Sequence, residues 1–273
     1  MNAQNNYEYV GAIKLNDTSL ITYQIKFTVN EGKINGYSLT DVGGEHETKS
    51  NLYGDYNADE KFIRFREKDI VYTKSEYSEN DFCFVNFISN KFKLGDNKID
   101  GDFKGLFSDN TECISGEIIL NSKEQMEKRI KKVQKVITKT KKIPDSLKKN
   151  YQVEKIMDSL NMNMLRDKQV LSVFSKSKDV KMVIYDGGRE DGDNIDLKIN
   201  NRDILKNYTI TRKEKILPIK LSSKKTPIVL KANNVGNMST NTAVIELYVD
   251  GIKIRALTNL NKEEQTQINI YLK

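Results

Sequence analysis

The sequence predicts a mostly β protein in three parts: an N-terminal antiparallel β-barrel or sandwich, a basic α-helical hairpin, and a C-terminal immunoglobulin-like β-sandwich. Three observations carry this expectation. Short runs of alternating apolar and polar residues fill positions 7–120 and return from about 169 to the end. Between them the apolar period changes to that of a helix. Gly, Asn and Asp separate the alternating runs at the spacing of turns between strands. The boundaries follow as 1–120, 121–168 and 169–273.

In the first region the clearest strand alternates Tyr23, Ile25, Phe27 and Val29 with Gln24, Lys26 and Thr28, which gives one buried and one wet face. A short pattern, an apolar residue followed two positions later by Gly, recurs at Ile34 (INGYS), Leu52 (LYGDY), Ile99 (IDGDF) and Ile114 (ISGEI). Glycine weakens a strand, so its repeated use implies sharp bends or close backbone approach. A strongly coiled sheet of about eight strands, closing on itself, needs such bends. The Phe82, Cys83, Phe84, Val85, Phe87 segment is apolar on both faces and reads as a central strand.

In the second region Ser122 can cap a helix whose apolar positions are Met126, Ile130, Val133 and Ile137. Pro144 interrupts the pattern and suits the first turn of a second helix, with Val153, Met157, Leu160 and Met164 on its apolar stripe. Two amphipathic helices joined by a short link read as an antiparallel hairpin. The third region alternates again through Ile195, Leu197 and Ile199. Ala243, Ile245, Leu247 and Val249 then meet an Asp250-Gly251 turn, a strong hairpin signal, before Ile252, Ile254 and Ala256. Further strands are expected near 181–185, 208–211, 216–221, 226–232 and 266–272. Seven or eight strands in this length suit an immunoglobulin-like sandwich, although the Cys…Trp…Cys core of true immunoglobulin domains is missing.

Composition narrows the function classes. The chain has 273 residues, enough for two domains, and 13 Tyr and 10 Phe to anchor their cores. Trp is absent, which counts mildly against an aromatic sugar platform, though Tyr can replace it. No stretch approaches the roughly 20 apolar residues that span a bilayer, so no transmembrane segment is expected. Met1-Asn2-Ala3-Gln4 has the look of the tail of a removed signal peptide, with Met1 as an added start; an ordinary polar N-terminus is the alternative.

Charge is unevenly placed. Residues 121–168 hold 14 Lys and Arg against 6 Asp and Glu, while the whole chain carries +7. This basic run can face nucleic acid, anionic lipid or an acidic protein, or serve as a solvated helix face. No helix-turn-helix, zinc or aromatic-strand motif accompanies it, so a nucleic-acid partner is not expected. Lys131, Lys132 and Lys135 are the candidate partner-binding residues.

Cys83 and Cys113 are the only cysteines and form no Cys-x-x-Cys motif. Reduced and inert in a cytosolic protein, they would be a natural pair in an exported one. If their strands are separated by a third, they lie too far apart to bridge. The loop YDGGREDGD brings Asp186, Glu190, Asp191 and Asp193 close together in the sequence. The same residues suit a tight turn first and a Ca²⁺ site second, with Asp186, Asp191 and Asp193 as ligands; the EF-hand spacing is absent. His46 is the single histidine, in a Gly-rich loop, with no Ser or Cys partner in any recognised motif. A glycosidase pair could be drawn from the 38 acids, but nothing singles one out. No activated nucleophile, metal triad or cofactor loop is visible, so the protein is expected not to be an enzyme and to need no cofactor beyond that Ca²⁺.

Several segments resemble exported two-β-domain proteins of the Bacteroidetes. They are YSLTDVGGEHETKSNLYGDY, IVYTKS, FCFVNF and LFSDNTECISGEI in the first domain, and IYDGGREDGDNI, VLKANNVGNMSTNTAVIEL and IRALTNL in the last. Combined with the basic helical region, the pattern is similar to the periplasmic plug proteins that cap the outer-membrane translocon of type IX secretion. The resemblance implies a periplasmic or otherwise exported, non-catalytic protein whose partner is an outer-membrane translocon barrel. An exported carbohydrate- or cell-surface-binding module, with Ca²⁺ at the Asp186–Asp193 turn, is the alternative. The shared segments are strands and turns, so no functional residue is carried over.

Overall fold

The computed structural model describes residues 6–15, 19–76, 82–139, 163–187, 190–236 and 240–273. The chain divides into two units. Met1–Ile70 with Tyr77–Asn161 form the first, and Val71–Glu76 with Met162–Lys273 form the second. Residues 71–76 and 162–168 thus belong with the C-terminal strands, an assignment that the sequence boundaries at 120 and 168 do not include.

The first unit holds eight strands: β1 (Asn6–Leu15), β2 (Ser19–Asn30), β3 (Lys33–Thr40), β4 (Thr48–Asn57), β5 (Phe62–Thr73), β6 (Phe84–Ser89), β7 (Lys98–Leu106) and β8 (Gly116–Ser122). Each pairs with the next, β8 pairs with β1, and the circuit is a closed antiparallel barrel. Closure leaves no free strand edge. Inward positions are filled by Tyr9, Tyr23, Phe27, Phe65 and Phe87 together with Ile25, Ile34, Leu52, Ile118 and Leu120, all at most 2% exposed. Phe65 and Phe87 stack with ring centroids 5.0 Å apart. β6 lies between β5 and β7, but only its inner face, Val85 and Phe87, is buried; Ile88 on the outer face is 59% exposed, so the expected burial of both faces is not found.

Gly36 and Gly54, two of the patterned glycines, sit where a neighbouring backbone comes close. A Cβ on Gly54 would stand 1.9 Å from the Arg64 carbonyl oxygen, and one on Gly36 2.0 Å from that of Lys26. Real Cβ atoms do not approach backbone so closely, so only glycine lets the strands bend inward here. The pattern's bends are therefore features of the barrel wall.

Cys83 directly precedes β6 and Cys113 lies in the connection between β7 and β8. Both are just outside strands rather than within them. Their Cα atoms are 6.1 Å apart and the sulfurs are joined as a disulfide. β7 separates β6 from β8, but the bridge forms at the barrel end, where the Cys113 loop folds back and Cys113 N–H donates to the Gly105 carbonyl at 3.0 Å.

After β8, α1 (Lys123–Lys139) begins at the expected cap: Gln125 N–H donates to Ser122 Oγ at 3.3 Å. Lys123 Nζ ties it to Glu8 on β1 at 3.0 Å. Met126 and Ile130 are half-buried, whereas Val133 is 55% exposed. The expected second helix falls largely on residues 140–162, and so Val153, Met157 and Leu160 lie outside the described residues. Met164, placed on that helix by its spacing, is instead in a strand, β9 (Asn163–Leu165), which pairs in parallel with residues 256–258. Backbone pairing to a strand about 90 residues away overrides the local helical period there.

The second unit continues with β10 (Val170–Ser175), β11 (Asp179–Tyr185), β12 (Asn194–Ile199), β13 (Arg202–Thr209), β14 (Lys215–Lys220), β15 (Lys225–Ala232), β16 (Val244–Val249), β17 (Ile252–Thr258) and β18 (Gln265–Leu272). One sheet runs β13-β12-β15-β18-β10 and ends on the last residues of β5, where Thr73 pairs with Ser172. The other runs β14-β11-β16-β17-β9. Each has one parallel pair, β10 with β18 and β17 with β9. Alternate residues such as Met182, Ile184, Ile245 and Leu247 in one sheet and Leu197, Ile228, Leu230 and Ile268 in the other are fully buried, the burial pattern of a β-sandwich. Asp250 and Gly251, with φ of 50° and 78°, make the two-residue turn between β16 and β17. The Asp250 carboxylate also accepts the Lys176 and Ser177 N–H groups at 2.8 and 2.9 Å, which ties this turn to the one between β10 and β11.

Two stability outcomes follow. Gly54→Ala should lower the unfolding free energy by about 2 kcal/mol or more, measured by urea denaturation, because the wall must open to admit a methyl group. Replacing both cysteines by Ser should cost about 3 kcal/mol, since the bridge closes a loop of separation 30 in the unfolded chain. Intact mass after alkylation without reductant should show no free thiol in the parent protein made under oxidising conditions.

Candidate functional site

An eight-stranded barrel has room for its own side chains or for one small ligand. This one is packed with aromatic and aliphatic groups, and the carboxylate of Glu67 lies among them. Glu67 on β5 is 4% exposed and alternates inward with Ile63 and Phe65. Tyr23 O–H donates to its Oε1 at 2.8 Å, Ser38 O–H to the same oxygen at 2.5 Å, and Val85 N–H to Oε2 at 2.8 Å. Burial pushes the Glu67 pKa up, and these three donors only partly oppose it. Burial and the nearby Glu67 raise the Tyr23 hydroxyl well above its ordinary value, so it remains a donor. The cluster is closed to solvent and serves to hold β2, β3, β5 and β6 together.

The outer wall offers the accessible surface. Across β3 to β6, Asn35 pairs with Tyr53 and Arg66 with Asn86, and beside them Lys33 pairs with Asp55 and Arg64 with Ile88. These residues line an open groove of about 610 Å³. Tyr53 is 42% and Ile88 59% exposed. Lys33 and Arg64 both bond to Asp55, at 2.7 and 2.5 Å, and their hydrogen bonds hold its pKa below the ordinary value. With that carboxylate engaged by two cations, the wall presents a phenol ring, two amides and the guanidinium of Arg66 to a ligand. Sequence reading passed over these positions because on a strand they look like ordinary outward-facing polar residues. Only the pairing register makes them neighbours.

The residues singled out from the sequence are scattered. Lys131, Lys132 and Lys135 are exposed on α1. His46 is exposed in the turn between β3 and β4, where its N–H donates to Asp41 at 2.9 Å. Asp186, Asp191 and Asp193 lie between β11 and β12. Asp186 and Asp193 are buried and Asp191 half-buried. Asp193 Oδ2 accepts Thr242 N–H at 2.7 Å. Burial raises the Asp193 carboxyl to about 6, opposed by that hydrogen bond and reinforced by the charges of Asp191 and Asp186. Among the described residues no group of three His, Cys, Asp or Glu is arranged to hold a metal ion. None of the described helices is long and apolar enough to cross a membrane.

Compared with protein-family models, curated proteins and solved structures, the chain matches none.

The buried carboxylate makes stability depend on pH in a defined direction. Because folding raises the Glu67 pKa, the folded state holds a proton that the unfolded chain releases. Stability from this group is therefore full below its ordinary value of 4.5 and declines as pH rises through the raised value. In Glu67→Gln the amide oxygen can accept from Val85 N–H while its NH₂ donates to the Tyr23 and Ser38 hydroxyls. The variant should gain stability relative to the parent as pH rises from about 4.5 to 7, measured by denaturation across that range.

Proposed function

We propose that the protein is an exported, non-enzymatic binding protein that acts through its outer surfaces. Its specific role in this reading is to plug or gate an outer-membrane protein-export translocon of type IX secretion, with the translocon barrel as partner. The observation that carries the binding-protein reading is the interior of the N-terminal barrel, occupied among the described residues by aromatic and aliphatic side chains, which favours a surface binder over a small-ligand carrier. Recognition must then use the walls, loops or helix. The Cys83–Cys113 bridge supports an oxidising compartment, and so a periplasmic site of action. The exposed lysines of α1 supply a basic face that an acidic channel wall or anionic surface would attract. The resemblance of several strand and turn segments to those of Bacteroidetes exported proteins favours the translocon over other partners.

The finer fold reading belongs to the same proposal. The order β10-β18-β15-β12-β13, with its first pair parallel, supports an immunoglobulin-like second domain. In that reading the β16–β17 hairpin is an insertion between β15 and β18, lying in the opposite sheet.

A second reading has its own support. The groove on the barrel wall combines the half-exposed Tyr53 ring with Asn35, Arg66 and Asn86, a stacking face flanked by hydrogen-bonding groups. That is the chemistry of carbohydrate or cell-surface recognition.

Capture from envelope extracts separates the two readings. The translocon reading expects recovery of a large outer-membrane barrel, weakening with salt. Lys131→Glu, Lys132→Glu and Lys135→Glu together should reduce that capture while shifting stability by no more than about 0.5 kcal/mol. Unchanged capture at low and high salt would move the contact to the β units. Retention on polysaccharide, lost in Tyr53→Ala, would favour the second reading.

A further inference from the structure

Among the described residues of the second unit, the buried side chains of Asn163, Asp193, Thr226 and Asn241 each have an oxygen without a hydrogen-bond partner, and two of these, Asp193 and Asn241, lie on segments that are bonded to each other. Asp193, 1% exposed, accepts Thr242 N–H on Oδ2 but nothing on Oδ1. Asn241, 0% exposed, donates its Nδ2 to the carbonyls of Asn194 and Asn234 at 3.0 and 3.1 Å. Those two carbonyl acceptors fix which end of the amide is nitrogen, and its Oδ1 is left unbonded. The segments that carry them are joined, because the residue after Asn241 supplies the N–H that Asp193 accepts.

The surroundings add oxygen and negative charge. Asn234 bonds Gly192 O through Nδ2 at 2.8 Å and Asn194 N through Oδ1 at 2.7 Å, so the segments around 192–194 and 234–242 are joined. Gly236, with φ of 54°, lies against Asp191; a Cβ there would be 2.7 Å from Asp191 Oδ1. Among the described residues, the charges of Asp191 and Asp186 bear on Asp193, and both are negative. A buried anion facing two others, beside an amide oxygen with no donor, calls for a positive group that accepts oxygen lone pairs.

We propose that this node is a calcium site, with Asp193 Oδ1 and Asn241 Oδ1 as its buried ligands and Asp191 as the carboxylate that closes it. Water completes the roughly six to eight oxygens that Ca²⁺ takes, and Asp186 adds negative charge nearby. A mixed carboxylate and amide set suits Ca²⁺, whose geometry is flexible, better than Mg²⁺, which demands a near-ideal octahedron. Among the described residues no group of three His, Cys, Asp or Glu is arranged to hold a metal ion, so the amide oxygen of Asn241 is needed to complete the ligand set. The inference stands apart from both the translocon and the carbohydrate readings, since it concerns the integrity of one end of the second unit.

The test uses the full chain, stripped with chelator, then titrated with Ca²⁺ by calorimetry and melted with and without the ion. One-site binding is expected, with a melting temperature raised by about 3 °C or more in about 1 mM Ca²⁺ and by less in Mg²⁺. Asp193→Asn, which keeps the shape and removes the charge, should weaken Ca²⁺ binding at least about tenfold. Asp179→Asn, at the other end of β11, should leave it unchanged. Absence of both heat and melting shift in the parent protein would overturn the proposal and assign the two oxygens to ordinary water. An equal response to Mg²⁺ would overturn the calcium assignment. Should Asp193→Asn fail to fold, displacement of Tb³⁺ by Ca²⁺ at one-to-one stoichiometry in the parent supports the site, and no Tb³⁺ binding refutes it.

Discussion

Closing eight strands into a small barrel forces neighbouring backbones together where the wall bends, and a side chain at such a point would collide with a carbonyl. At Gly54 the space a Cβ would need is already taken by Arg64, and at Gly36 by Lys26. Once those bends are allowed, every strand of the unit has two neighbours and no edge is left exposed. The enclosed volume then matches a stack of Tyr, Phe, Ile and Leu side chains. Among the described residues these side chains occupy the barrel interior.

The two units treat buried charge differently. Glu67 is surrounded by three donors from three other strands, so its burial is answered by hydrogen bonds even though desolvation still favours the proton. Asp193 has one donor and two acidic neighbours. The first arrangement is complete in itself and rigid, as a cross-strand tie should be. The second leaves one oxygen of Asp193 without a donor among the described residues, which the proposed cation would engage. This contrast, rather than the number of acidic residues in either place, separates a structural carboxylate from a candidate ligand.

Much of the local architecture was legible because its causes are local. The alternation around Tyr23 marks β2. The Asp250-Gly251 turn requires positive φ at both residues, which that dipeptide tolerates. Ser122 caps α1 through its own side chain. The recurrent glycines pointed to bends before any partner strand was known. Met164 misled for the same kind of reason: its spacing from preceding apolar residues is helical, and nothing nearby in the sequence reveals that Ala256, Leu257 and Thr258 will run alongside it. The β10 strand was also passed over. Its parallel partner, β18, begins almost a hundred residues later, and parallel pairs leave no hairpin turn to announce them.

The sequence by itself determined that the protein is mostly β, where its clearest hairpins turn, that a basic helix follows the first eight strands, and that a run of acidic residues separates two strands of the C-terminal part. These depend on the period of side chains along one segment and on turn residues within it, both written within a few positions of each other. Only the tertiary structure decided that the first sheet closes, that Cys83 and Cys113 meet at one end of it, and that Tyr53 stands beside Arg66 and Asn86. It also decided that Asn241 arrives next to Asp193. Each of these is a meeting of segments distant in sequence, selected by strand register and by the burial of whole faces, and no local pattern encodes a partner's register.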